Sequence, residues 1–343
     1  MRSMAEEGRP AWLLTRPSQY PELPAPTRIN VTFPLPTREN QLRTLLISGV
    51  ALALMGSTAF AADKVQVGDK GVFPESLTST ADGTLIIGSI GTGEIFRAAP
   101  GATKAESWIG AVTDGPSAVL GVYADEANNT LWACYADLAL FAGAPGQPSV
   151  LRSYDLASGA LKSAVSLGEN TFCNDIATSA DGTAYAADTV QGQVLKVAPG
   201  ATTAETFFKD EALASLDGLS FGPDGALYLN GVQTNKLFRL TLDGDKPGTL
   251  TELTLSQPIS GPDGMRFGDD GVLYLAENGN AQVDAITFDG DTANIKVVAK
   301  EGWDTPTAVT KVGSTLWVIE AQLSKMQNPD AAEAFYAYPV ELQ

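Results

Sequence analysis

The sequence predicts an all-β protein, a six-bladed β-propeller of four-stranded antiparallel blades. Two repeats and one absence carry that reading. A polar turn followed by a short apolar strand recurs as "ADGTLIIGS", "ANNTLWACY", "ADGTAYAAD", "PDGALYLNG", "DDGVLYLAE" and "VGSTLWVIE". The turn residues fall at Gly83, Asn129, Gly182, Gly225, Gly271 and Gly313, at spacings of 42 to 53 residues, the length of one propeller blade. A longer stretch, "IFRAAPGATKAESW" near Phe96, returns as "VLKVAPGATTAETF" near Leu195. Apart from a short candidate near Ala331, no helix-length amphipathic run interrupts the pattern. A seven-bladed disc and a solenoid are the alternatives.

Each unit reads as strand, tight turn, strand, loop and two further strands. Asp-Gly supplies the positive φ angles of a tight hairpin. The residues after the turn alternate or run apolar, as in Leu227-Tyr228-Leu229 and Leu273-Tyr274-Leu275. Closure of the disc is expected to join the chain's ends, with "DKVQVGDKGVF" completing the last blade beside "AFYAYPV".

Ahead of the repeats, residues 43–62 read as an export signal. From Thr44 to Ala62 the chain carries no charge, Arg38 and Arg43 precede it, and Ala59-Phe60-Ala61 has the small-x-small form of a signal-peptidase site. The apolar run Leu45–Met55 is short for a membrane span, and an N-terminal anchor is the alternative. Residues 1–42, rich in Pro and Arg, read as a disordered or mis-called N-terminal extension. The propeller then occupies 63–343, exported to the periplasm or secreted.

Composition excludes several classes of function. The chain has 22 Lys and Arg against 40 Asp and Glu. Such acidity repels phosphate backbones and anionic lipid, so neither nucleic acid nor membrane, once the signal is cleaved, is an expected partner. There is no histidine. That removes Ser-His-Asp and Cys-His nucleophiles, HExxH zinc sites and imidazole acid–base chemistry. The expected partner is a small-molecule substrate, and the expected assembly a monomer or weak homo-oligomer. Cys134 and Cys173 either pair, if their strands are neighbours, or are separate buried thiols.

Counting back eight residues from each turn gives Glu75, Gly121, Asn174, Asp217, Asp263 and Thr305. Equal offsets from equivalent turns place residues at one level of the central channel. Glu75, Asn174, Asp217 and Asp263 should therefore converge at its mouth. The competing reading takes them as turn residues that begin strands, Asp217-Gly218 and Asp263-Gly264 being good turn sequences in themselves. Carboxylates facing one channel repel one another unless protonated or bridged by a cation. An oxygen-only set suits a hard divalent cation, calcium first, with magnesium, manganese and zinc as the other candidates.

At these residues the chain resembles the gluconolactonase family that includes regucalcin and the luciferin-regenerating enzyme. Glu75 in "FPESL", Asp217 in "SLDGLSF" and Asp263 in "GPDGMRF" match the family's metal ligands, and Asn174 in "CNDIA" matches its substrate-contacting Asn. Two departures stand out. Asp217 replaces the family's usual Asn, and the Gly-Pro-x-Trp that follows the family's Glu is missing after Glu75.

The resemblance implies a metal-dependent lactone hydrolase. Asp263 would be the base, Asn174 would orient the substrate, and a cation would polarise the carbonyl. Second strands run back to the same mouth and bring Asp188, Asn230, Glu277 and Asn278 toward it as substrate contacts or solvated loop polars, with Asp175 flanking Asn174. Phe141–Ser149 is a candidate lid, or else an insertion without fixed structure. The alternative function is a non-catalytic exported propeller that binds a ligand or protein and carries a structural calcium. A strictosidine-synthase-like activity is a third reading.

Overall fold

The computed structural model describes residues 62–342. The expected extension over 1–42 and all but the last residue of the expected signal lie outside the described residues. The described chain forms six antiparallel sheets, and their inner strands are Pro74–Ser79, Ala118–Asp125, Cys173–Thr178, Leu216–Phe221, Pro262–Phe267 and Pro306–Val312. Each inner strand packs beside the next, and the sixth packs against the first, so the sheets close into a six-bladed propeller.

Closure joins the two ends of the described chain. Val65–Gly68 pairs antiparallel with Phe335–Glu341, Val65 opposite Ala337 and Gln66 opposite Tyr336. Blade 6 thus takes its outermost strand from the start of the propeller, as the sequence led us to expect. Blade 5 has one strand more than expected, because Thr254–Leu255 runs parallel beside Thr292–Ala299.

Strand alternation sends one set of apolar side chains to each blade–blade interface. Six apolar clusters result, each drawn mainly from two successive blades. Leu77, Phe73, Ile319 and Phe335 pack between blades 6 and 1, and Leu219, Leu229, Tyr185 and Val194 between blades 3 and 4. Burying each such side chain contributes roughly 1.5–3 kcal/mol.

The hairpin turns separate blades that follow the eight-residue offset from those that do not. Five residues separate the first two strands of blades 1, 3, 4 and 5, as between Ser79 and Leu85 or Phe221 and Leu227. Blade 2 has four there, built as a 3-10 turn over Glu126–Asn128, and blade 6 has only Gly313 and Ser314.

Candidate functional site at the channel mouth

Every inner strand is irregular at the same place. Pairing with the second strand slips between Pro74 and Ser76, Val119 and Val122, Cys173 and Ile176, Leu216 and Leu219, Pro262 and Met265, and Pro306 and Ala308. A bulge leaves one residue without a partner and re-aims its side chain. Glu75, Asn174, Asp217 and Asp263 all sit in these slips, as do Leu120 and Thr307. In blades 1, 4, 5 and 6 the residue two positions earlier is left-handed: Phe73, Ser215, Gly261 and Thr305 have φ of 44°, 58°, 59° and 61°. That left-handed entry recurs with the bulge, strained at Phe73, Ser215 and Thr305 and unstrained at Gly261.

This register corrects two of the six channel positions. With a longer count to Asn129 in blade 2 and a shorter one to Gly313 in blade 6, the equivalent residues are Leu120 and Thr307. Gly121 lies one residue deeper, where a Cβ would meet Asn174 O at 2.4 Å, and Thr305 supplies the left-handed turn. The Asp-Gly pairs at 217 and 263 are not turns. They lie within buried inner strands, and their glycines press on the next blade, a Cβ at Gly218 or Gly264 falling 2.5 Å from Asp263 O or 2.6 Å from Thr307 O.

Glu75, Asn174, Asp217 and Asp263 line the floor of one cavity of about 220 Å³ at the channel mouth. All four are buried. Asn174 Nδ2 donates to Asp217 Oδ2 at 2.8 Å and to Thr189 Oγ1 at 3.2 Å. Asp263 accepts from Gly264 N at 2.8 Å and from Asn278 Nδ2 at 3.0 Å. Burial, reinforced by the Asp263 and Asp175 carboxylates, raises the Glu75 carboxyl well above its ordinary range. Burial also raises Asp217, with Asp263 and Glu75 adding to it, and pushes Asp263 up to about 7.

The other expected site residues hold the frame. Asn230 bridges blades 4 and 5, accepting from Gly218 N at 3.1 Å and donating to Asp263 O at 2.6 Å. Asp188 is fully buried and accepts from Phe172 N at 2.9 Å and Gln193 Nε2 at 2.8 Å. Glu277, equally buried, accepts from Ser260 N, Asn280 Nδ2 and Gln282 Nε2. Neither Asp188 nor Glu277 lines the cavity; Asn278 does. Asp175 points deeper into the channel, where Arg266 grips it with two bonds of 2.6 and 2.7 Å and Leu219 N donates to it at 3.2 Å.

Several residues at the site escaped the sequence reading. Arg266 follows Asp263 by three positions and brings a buried positive charge beneath the floor. Thr307 Oγ1 is buried with no hydrogen-bond partner among the described residues. Above the floor, Ile90, Leu120, Leu138, Phe141, Val232 and Met326 form apolar walls. Leu138 and Phe141 belong to a short helix, Leu138–Phe141, capped by Asp137. Its Oδ2 also accepts from Gln147 N, which fixes the Phe141–Ser149 segment beside the mouth. Cys134 and Cys173 form a disulfide between blades 2 and 3, with Cα atoms 5.4 Å apart, immediately before Asn174.

A six-bladed propeller with three carboxylates and a carboxamide at one channel mouth is the class of protein that fold and site define. Residues 73–321 match the family described as the SMP-30/gluconolactonase/LRE-like region, and the chain belongs to that family. Among solved structures it is similar to a putative gluconolactonase, at 17% identity and a TM-score of 0.59, over 83% of this chain and 95% of that one. It is also similar to a calcium-binding regucalcin from Agrobacterium tumefaciens, at 18% identity and a TM-score of 0.54, over 83% and 98% of the two chains. A gluconolactonase from Xanthomonas campestris aligns at 14% identity and a TM-score of 0.57, over 82% and 99%. At these identities the likeness is one of fold. A search of curated proteins returned no significant match.

Proposed function

We propose that the chain is a divalent-cation-dependent hydrolase of a lactone or related ester. The observation that carries this reading is the convergence of Glu75, Asn174, Asp217 and Asp263 on the floor of one open cavity. Family membership supports the reaction class.

The donor chemistry fits a hard cation. Three buried carboxyls are all pushed toward protonation, a penalty that a divalent ion would relieve, and Thr307 Oγ1 beside them lacks a partner. Among the described residues no three His, Cys, Asp or Glu side chains already stand as a metal-holding group. Glu75, Asp217 and Asp263 are the residues that would hold the ion. We take calcium as the cation, as the flexible coordination of that ion suits ligands from separate blades. When bound, the ion would polarise the substrate carbonyl and stabilise the oxyanion.

The chain's own residues supply the rest. Asp263, oriented by Gly264 N and Asn278, takes a proton from the attacking water. Water oxygen adds to the acyl carbon, the ring C–O bond breaks, and the departing oxygen takes up that proton to give a hydroxy acid. Both N–H groups of Asn174 are committed to Asp217 and Thr189, so its Oδ1 is left to accept a hydrogen bond from the attacking water.

We place this activity after export. The uncharged run before Asp63 and the Cys134–Cys173 disulfide both suit an oxidising compartment. The test is lactone hydrolysis with calcium, magnesium, manganese and zinc, with chelator, and after Asp263→Ala. Activity absent under all four metals sinks the hydrolase reading and leaves a ligand-binding propeller with a structural calcium. Metal retained by a Glu75→Ala/Asp217→Ala/Asp263→Ala variant sinks the proposed cation site.

A further inference from the structure

We infer that the cavity takes a lactone or ester with a hydrocarbon body, rather than a polyhydroxylated sugar lactone. This rests on the hydrolase reading for the reaction, while the shape and chemistry of the walls stand apart from it. Polar groups gather at one end only: Glu75, Asn174, Asp217 and Asp263 on the floor, with Asn278 at its edge. The remaining lining is Ile90, Leu120, Leu138, Phe141, Phe172, Val232, Leu323 and Met326, all carbon or thioether.

Two features make these walls a built surface. The loops between second and third strands span four or five residues in blades 1, 3, 4 and 5, but 13 in blade 2 and 14 in blade 6. Each of the two long loops contributes a pair of apolar side chains to the cavity, Leu138 with Phe141 and Leu323 with Met326. The second feature is Phe141 itself. It is 53% exposed, yet it is held by the Asp137-capped helix and packed at a tilt against Phe172, ring centroids 5.3 Å apart. An aromatic ring kept at an open mouth and fixed from behind gains from an apolar ligand, not from the core.

A ligand with one carbonyl and a hydrocarbon chain meets both halves of this cavity. Its polar end reaches the floor and its chain covers the walls. Sugar hydroxyls placed against the same walls would lose water with no donor or acceptor to replace it. At about 220 Å³ the cavity has room for a ring with a short chain.

The test separates binding from turnover. Calorimetry on the metal-free and calcium-loaded protein would use non-hydrolysable δ-lactams bearing chains from methyl to hexyl. We expect affinity to rise about fourfold per methylene. Phe141→Ala and Met326→Gln should each weaken hexyl-lactam binding about tenfold. Replacing the half-exposed Phe141 should leave the melting temperature unchanged, while replacing Met326, packed against the apolar cluster between blades 6 and 1, should lower it slightly. In parallel, hydrolysis of alkyl δ-lactones is compared with that of D-glucono-δ-lactone, and the alkyl series is expected to have the higher kcat/KM. Affinity independent of chain length, or hexyl-lactam binding unchanged in both variants, overturns the inference. Hydrolysis confined to the sugar lactone overturns it as well and leaves the hydrolase reading intact. Chain-length-dependent lactam binding without hydrolysis of any lactone upholds the apolar site and defeats the hydrolase reading.

Discussion

Asn174 donates to Asp217 across 2.8 Å and so ties blade 3 to blade 4 on the cavity floor. Its remaining N–H goes to Thr189, which fixes the direction of Oδ1. Asn174→Ala removes both the tie and the oriented oxygen. We expect kcat/KM for the hydrolysed lactone to fall roughly a hundredfold, the scale of losing one positioning contact. Stability of the metal-free protein should fall by about 1–3 kcal/mol, since Asp217 stays buried without its donor. Steady-state kinetics and urea melts on the same preparations check both. Wild-type kinetics in the variant would remove Asn174 from the site.

Without metal, the floor carboxyls should make stability depend on pH. Folded Glu75, Asp217 and Asp263 hold their protons above the unfolded range, Asp263 up to about 7. For an acid with a raised folded pKa, the folded state binds more protons, and stability declines as pH rises from the unfolded pKa through the folded one. The chelator-treated protein should therefore melt at progressively lower temperature between pH 4 and 8, a loss of which the Asp263 shift alone accounts for about 4 kcal/mol. Calcium should restore more at pH 8 than at pH 5, because only ionised carboxylates ligate well. A scanning calorimetry series across that range, with and without the ion, decides it. A metal-free melting temperature that rises toward pH 8 would contradict the assignment.

Blade number, hairpin positions and the closing strand were legible because each leaves a local mark: Asp-Gly, an apolar triplet, a length. The four polar floor residues were legible through one further regularity, a constant count from a constant turn. The count failed at Gly121 and Thr305 for the same reason it worked elsewhere. Past the bulge the inner strands of blades 2 and 6 run one residue longer, to Asp125 and Val312, and blade 6 turns after it in only two residues, so Leu120 and Thr307 take the bulge position. Sequence could not show that Asp188 and Glu277 turn back on their own loops, because that depends on which backbone N–H groups the folded turns leave unpaired. The apolar walls were equally hidden. Ile90, Val232 and Leu323 come from different blades and meet only once the ring closes.

Arg266 and Asp175 form the buried ion pair beneath the floor, with bonds of 2.6 and 2.7 Å and the guanidinium 5.4 Å from the Tyr123 ring. They join blades 3 and 5 across the channel. Arg266→Met leaves Asp175 as an uncompensated charge near three other carboxyls and should cost about 3–5 kcal/mol. Adding Asp175→Asn should recover much of that loss, since an amide needs no counter-charge. Chemical denaturation of the two single variants and the double gives the coupling. Purely additive losses would mean that the pair does not act as a unit.

The Cys134–Cys173 disulfide closes a separation of 39 residues and joins the second strand of blade 2 to the inner strand of blade 3. A loop of that length, left open, adds chain entropy to the unfolded state worth about 4 kcal/mol. For a chain of this size, such a loss lowers the melting temperature by roughly 10 °C. Reductant should produce that shift in the wild type and none in a Cys134→Ala/Cys173→Ala variant, which should already melt at the lower temperature. Because Cys173 directly precedes Asn174, the bond also fixes the backbone that aims the carboxamide. The double variant should therefore lose lactone turnover at 25 °C, well below its melting point. Two titratable thiols in the unreduced, unfolded protein would show that the cysteines do not pair, and full turnover in the double variant would separate the disulfide from the site.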